Sequence, residues 1–297
     1  MGMGRARSRG MVLSSRALLV VLGLLAVASP GAPAWAQECP EAQQLSLDLA
    51  SWMRQVRAQP PPQRMKRLLA SVGLPPLPTV EALGEADYCQ EELPRLVALD
   101  RFQVRLSEGP EEERVLWLRF ASCGDEGPAG SAPDVVRGVV LRPFGPGRWC
   151  RIDAPFLNDD TVSPYSTEPR LCEPPEFSFV HLTSERSRVF RVVETEAVCY
   201  GSAHDTTERL SFWALRGTRM RELFDAVLFQ SPLALSGPDS SKSLETRVRL
   251  VGKSFPRELA VTESVSETFS EEPGVVRHRR YRYSEAAERY VRSNKSP

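Results

Sequence analysis

The chain has 297 residues, of which 41% are hydrophobic, and it balances 38 Lys and Arg against 38 Asp and Glu for a formal net charge of zero. That length supports a real hydrophobic core, in one large or two small domains. The even charge excludes a global attraction to nucleic acid or to anionic lipid.

Residues 1–36 have the layout of a secretory signal peptide. Arg5, Arg7, Arg9 and Arg16 form a basic leader, an uncharged run follows from Ala17 to Ala28, and Ala34-Trp35-Ala36 supplies the small residues that a cleavage site needs. The apolar run is well short of the roughly 20 residues that span a bilayer as a helix. The expectation is cleavage before Gln37 and a secreted or periplasmic protein with no transmembrane segment in its mature part. Loss of four leader arginines leaves 34 basic against 38 acidic residues, a net charge of −4. All six cysteines (Cys39, Cys89, Cys123, Cys150, Cys172 and Cys199) follow that point. An even count in an exported chain points to disulfides, which persist in an oxidising compartment. No Cys-x-x-Cys occurs, which argues against a thioredoxin-like redox site or a zinc knuckle. Ala36-Gln37-Glu38 ahead of Cys39 lacks the small or aliphatic residues of a lipid-attachment site, so the mature protein is expected to be soluble.

Residues 37–94 read as a small helical segment. Leu45, Leu49, Trp52, Met53 and Val56 share one helix face, and Pro60-Pro61-Pro62 ends that helix. A second helix carries Met65, Leu68, Leu69 and Val72 on one face, with Gly73 as its C-cap. A third, short helix is expected near Thr79 to Leu83. An amphipathic hairpin of this size needs a surface to pack on, so it is expected to lie against the rest of the molecule, pinned by Cys89 and Cys39; Cys39–Cys89 is the preferred bridge. A partner-binding helix is the functional alternative.

From about residue 97 the hydrophobic period changes from 3.6 to 2 and β-branched and aromatic residues dominate. Leu99–Leu106, Arg114–Cys123, Val135–Phe144 and Arg148–Asp153 read as strands separated by turn formers. After a proline-rich connector from Pro155 to Pro175 come Phe177–Leu182, Arg188–Tyr200, Arg209–Arg216 and Met220–Phe229. The connector Ser231–Ser243 leads to Thr246–Val251, Glu258–Phe269, Val275–Ser284 and Arg289–Arg292. These are three runs of one plan, in units 97–153, 177–229 and 244–293, at lags of 76 residues (Cys123 to Cys199) and 69 residues (Val192 to Val261). The short connections favour antiparallel meanders, since parallel pairing needs long crossovers. The expected fold is therefore mainly β across 95–297, with about twelve strands by this reading. They form either three four-stranded units resembling propeller blades or a sandwich, with the helical segment covering an edge or an apolar face. In a flat first meander Cys123 and Cys150 fall near opposite ends of the sheet, which disfavours a bridge between them.

Chemistry-bearing residues are few. His181 shares a strand face with Phe177 and Phe179, where a half-buried histidine needs only a backbone partner. His204 lies in the loop Gly201-Ser202-Ala203-His204-Asp205-Thr206, so Ser202, His204 and Asp205 are the weak catalytic candidates. Adjacent side chains diverge, however, and Ser202 lacks the Gly-x-Ser-x-Gly elbow of an exposed nucleophile. His278 belongs to the basic strand Arg277–Tyr283, whose cations fall on both faces as suits a sheet edge. In Asn158-Asp159-Asp160-Thr161, Asp159 and Asp160 are weak calcium candidates, although the spaced ligand pattern of a calcium loop is missing. Glu194 and Glu196 alternate along a long strand and supply the paired carboxylates that glycoside hydrolysis uses. Zincin, phosphate-loop and dinucleotide patterns are absent, and no cofactor is expected.

The functional expectation is an exported non-catalytic β protein with a binding or envelope-associated role. Its partner would be an envelope or extracellular protein or an acidic polysaccharide, not nucleic acid. A face lined by Trp117, Phe190 or Trp213 would mark such binding. The rival is a secreted hydrolase of an envelope polymer or ester, centred on His204 or on Glu194 and Glu196. A third reading is a structural part of an envelope assembly, which would expose a large apolar patch.

Overall fold

Asp48 decides where the first helix begins. Its carboxylate accepts hydrogen bonds from the backbone N–H groups of Ala50 and Ser51, both at 3.1 Å, satisfying donors that no earlier carbonyl reaches. In the computed structural model, which describes residues 39–80, 93–121, 134–159, 170–171, 175–197, 206–231, 242–267 and 274–293, helix α1 spans Leu49–Arg57 and α2 spans Pro62–Ser71. Pro62 opens α2, where its missing N–H costs nothing. Gly73 closes the turn after α2 with φ +73°, a conformation that other residues adopt at a cost. Leu45 is not on the α1 face, contrary to expectation. It lies in strand β1 (Gln44–Ser46), which pairs with β5 (Arg148–Ile152) through Leu45↔Trp149. Thr79 and Val80 are not helical, and the rest of the expected third helix lies outside the described residues.

The twelve expected strands all form: β2 (Arg95–Val104), β3 (Glu113–Ala121), β4 (Asp134–Gly145), β5, β8 (Glu176–Val180), β9 (Val189–Ala197), β10 (Thr206–Arg216), β11 (Arg219–Ser231), β12 (Lys242–Val251), β13 (Glu258–Glu267), β14 (Val275–Ser284) and β15 (Arg289–Arg292). The described residues add β1 and two short strands in the proline-rich connector, β6 (Asn158–Asp159) and β7 (Arg170–Leu171). All strands pair antiparallel, in two sheets. The first has the order β1-β5-β4-β3-β2 with β6 also on β4; the second runs β15-β14-β13-β12-β11-β10-β9-β7 with β8 also on β9.

The second and third four-strand runs therefore share one sheet. Their join is narrow, since β11 and β12 pair only at Phe229↔Glu245 and Gln230↔Leu244. Beyond that the two halves pack by their faces. Three apolar clusters record the layering. Leu49, Trp52, Val56 and Leu69 of the helices meet Leu116, Leu118, Phe120 and Val139 of the first sheet. The other face of that sheet, with Val115, Trp117, Val136 and Val140, packs on Phe190, Val192 and Leu215 of the second. The opposite face of the β8–β11 half, with Val189, Val193, Leu210 and Phe212, meets Leu259, Val261 and Tyr290 of the β12–β15 half. The inner strands are thus buried on both faces, and each wholly buried aliphatic or aromatic side chain contributes about 1.5–3 kcal/mol before entropy.

The meanders also repeat one backbone link. Arg188 N–H, just before β9, donates to Arg105 C=O, just after β2, at 2.8 Å; Arg257 N–H, just before β13, donates to Leu182 C=O, just after β8, at 2.9 Å. The tight turns β4–β5, β10–β11 and β14–β15 each contain a left-handed residue, Gly147 (φ +64°), Gly217 (φ +64°) and Glu288 (φ +50°).

Buried polar groups fasten the layers. Glu113, fully buried, lies 3.2 Å from Arg142 Nε and accepts from Leu106 N–H at 2.8 Å, while Arg142 Nη2 donates to Gly217 C=O of the second sheet at 3.2 Å. Arg137, also fully buried, donates to the carbonyls of Pro75 and Pro76 and so holds the segment after α2. Trp52 Nε1 donates to Leu68 C=O at 2.8 Å, joining the helices.

One disulfide is described, and it corrects the preferred pairing: Cys39 bonds Cys150, not Cys89, with the α-carbons 5.6 Å apart. The reason is the placement of β1, whose Gln44 stands beside Cys150 and carries the start of the chain onto β5. With Cys150 so engaged, Cys123–Cys150 does not form. Cys89, Cys123, Cys172 and Cys199 lie outside the described residues. Gln37–Pro297 forms one compact unit, separate from Met1–Ala36. Among the described residues no helix is long and apolar enough to cross a membrane.

Candidate binding cleft

In the run Val189-Phe190-Arg191-Val192-Val193 of β9, alternation sends Phe190 and Val192 into the core against the first sheet. Val189, Arg191 and Val193 go to the other face. Val189 and Val193 are buried there. Arg191 is only half-buried, paired in register with Phe212 of β10 and Ser178 of β8. It opens onto a cleft of about 490 Å³ between the two halves of the second sheet, lined by Val180, Leu210, Phe212 and Leu228 on one side and by Thr246, Arg247, Val248, Arg249 and Leu250 of β12 on the other. The cleft exists because β11 and β12 separate beyond their two paired residues. Among the described residues the Arg191 guanidinium has neither a hydrogen-bond nor an ion-pair partner. An unpaired charge in an apolar wall is an unfavourable arrangement that an incoming anion relieves.

Arg191 did not stand out in the sequence. Its signal was there nonetheless, as one cation inside a five-residue run otherwise apolar on both faces. Trp117, Phe190 and Trp213, the aromatics expected on an open binding face, belong instead to the core between the two sheets. Trp117 and Phe190 are buried, and Phe156 stacks on Trp213 with ring centroids 4.8 Å apart. Trp213 is half-buried, packing on that core while also lining the acidic pocket described below.

The histidines are dispersed. His181 falls just beyond β8 rather than within it, and its Nε2 accepts from Arg188 Nε at 3.3 Å. Its Nδ1 is buried with no partner among the described residues. His278 shares a hydrogen bond with Thr262 Oγ1 at 3.2 Å on an exposed surface. Its strand is an edge over most of its length, since β15 pairs only with Tyr281–Ser284. The neighbouring cations are largely neutralised: Arg282 and Arg280 lie 2.7 and 3.5 Å from Glu258, and Arg279 lies 3.0 Å from Glu263. That surface offers a polyanion little free charge. Ser202, His204 and Asp205 lie outside the described residues, as does Asp160; Asp159 is described by its backbone alone, in β6. The Asn158 side-chain amide is engaged with the backbone of Gly138, at 3.3 and 3.2 Å.

Glu194 and Glu196 come together with Glu222 and Asp225 around a second pocket of about 320 Å³, also lined by Arg209, Ser211 and Trp213. Glu194 stands opposite Arg209 in the ladder. Partial burial, then Asp225, raise the Glu222 carboxyl above its ordinary range, and Arg289 opposes them. Among the described residues no three His, Cys, Asp or Glu side chains are grouped to hold a metal ion.

No family model matches this chain, nor does any curated protein or solved structure.

Proposed function

We propose that this chain is an exported, non-catalytic β protein that works by binding, with the cleft between the β8–β11 and β12–β15 halves as its site. The observation that carries the reading is that cleft, where aliphatic and aromatic side chains of both walls surround the half-buried Arg191, which has no partner among the described residues, while the exposed Arg247 and Arg249 also line it. Its volume lies inside the range of about 300–1,000 Å³ typical of small-molecule sites. Export is supported by the layout of residues 1–36 and by the Cys39–Cys150 bridge, since such bonds persist outside the reducing cytosol.

The test is to recover the protein from fractionated cells of its source. Processed protein outside the cytoplasm, beginning at Gln37 and retaining a small molecule in native mass spectrometry, supports the reading. Cytosolic protein with an intact leader overturns export, and processed protein that neither retains nor takes up any apolar small molecule overturns the binding role.

A second reading keeps the hydrolase, moved to the acidic pocket. One observation favours it: Glu222 holds its proton more tightly than an ordinary carboxylate beside Asp225, in a pocket that Glu194 and Glu196 also line. Carboxylates with separated proton affinities are what a glycosidase employs. Release of sugar from an envelope glycan by the wild type, lost in E222Q, would establish it; unchanged release in E222Q would reject it.

A further inference from the structure

We infer that the cleft takes a single-chain anionic amphiphile, its hydrocarbon lying along the apolar walls and its carboxylate or phosphate seated on Arg191. This rests on the reading of the cleft as a binding site and adds the chemical class of what it binds.

The walls set the apolar part. Val180, Leu210, Phe212 and Leu228 face Val248 and Leu250 across about 490 Å³, a space that hydrocarbon fills at a gain in proportion to the area removed from water. One end is closed where β11 and β12 hydrogen-bond at Phe229↔Glu245 and Gln230↔Leu244. A cleft closed at one end suits a ligand with one apolar terminus better than a peptide that must run through. Arg191 sets the polar part. It is held in register between Ser178 and Phe212, and it has no acidic or carbonyl partner among the described residues. A planar guanidinium meets a carboxylate or a phosphate through two parallel N–H···O bonds. The buried Thr246 adds a hydroxyl, and the exposed Arg247 and Arg249, which also line the cleft, add positive charge. Charge complementarity thus singles out an anionic headgroup over a neutral or cationic one.

The test uses purified protein and three monomeric fluorescent probes of equal chain length: a long-chain carboxylate, a lysophosphatidic acid and the corresponding neutral alcohol. Both acids are expected to bind, and a preference between them identifies the headgroup source. In R191Q, which keeps a polar side chain of similar reach, the acids are expected to bind about ten- to a hundredfold more weakly, while the alcohol is unchanged. R191K, which keeps the charge, is expected to restore most of the loss. Equal binding of all three probes, unaltered in R191Q, overturns the anion claim but leaves a binding cleft. If none binds, the binding reading fails with it. A third result would also overturn the inference: probe uptake only after Leu233 and Leu235 are replaced by serine, which would make the chain's own connector the occupant.

Discussion

Removing the Cys39–Cys150 bridge in C39A/C150A isolates one large contribution to stability. The bonded residues are 111 positions apart, so the bond denies the unfolded chain a very large set of open conformations. In the chain-entropy description, closing a loop of that length stabilises the folded state by about 5 kcal/mol at 25 °C. Alanine is chosen because Cys150 is 2% exposed and a hydroxyl there would need a partner. The native contacts are expected to survive, since β1 still pairs with β5 and the helices still bury Trp52, Val56 and Leu69. Against a total of about 5–15 kcal/mol for a typical domain, the loss is severe. Urea unfolding followed by tryptophan fluorescence would read it as a lower midpoint, with a steeper slope because the uncrosslinked chain exposes more surface. A loss under about 1 kcal/mol would refute the reasoning, showing that the unfolded chain stays compact without the bond.

Glu113→Ala leaves the Arg142 charge and the Leu106 N–H without their buried partner, so a loss of about 3–5 kcal/mol is expected in chemical denaturation. A comparable loss in the E113A/R142A double variant relative to R142A alone would argue against the pairing. Gly138→Ala places a Cβ within 2.7 Å of the Leu157 Cβ and 3.0 Å of the Trp117 ring; a lower melting temperature is expected, by an amount equivalent to about 1–3 kcal/mol. Glu222 titrates from a value raised above the ordinary 4.5. Its stabilising contribution is present below that ordinary value and is lost as pH rises through the raised one. E222Q should therefore be more stable than wild type at neutral pH and equal to it in acid, and added salt should change the Asp225 and Arg289 contributions. An advantage that persists unchanged in acid would contradict this.

The strands were readable because the outer ones alternate against one covered face, the inner ones such as β3 are near-continuous apolar runs, and turn formers such as Gly145-Pro146-Gly147 separate them. Gly73 was readable for a related reason, as only a glycine relaxes easily into that helix end. The Cys39–Cys150 partnership was not, because a three-residue strand, β1, places Cys39, and three residues are too few to show a period. Strands β6 and β7 are shorter still. The narrow β11–β12 join escaped detection as well. Pairing at two positions followed by divergence depends on how whole faces stack, and the residues around Gln230 and Leu244 carry no mark of it. Arg191 followed from the same geometry, since its value depends on what lies across a cleft that no local pattern describes.

The repeated bond between neighbouring meanders, Arg188 to Arg105 and Arg257 to Leu182, makes the molecule a stack with a definite last layer. On that layer Arg247, Arg249, Arg280 and Arg282 point outward, each well exposed, where the inner layers carry grease on both sides. Such a stack grows by duplication at little cost: a fourth copy needs a matching donor ahead of its second strand and a terminal surface whose arginines have given way to aliphatics. Those four guanidinium groups would have to give up their water before another meander could pack on that face.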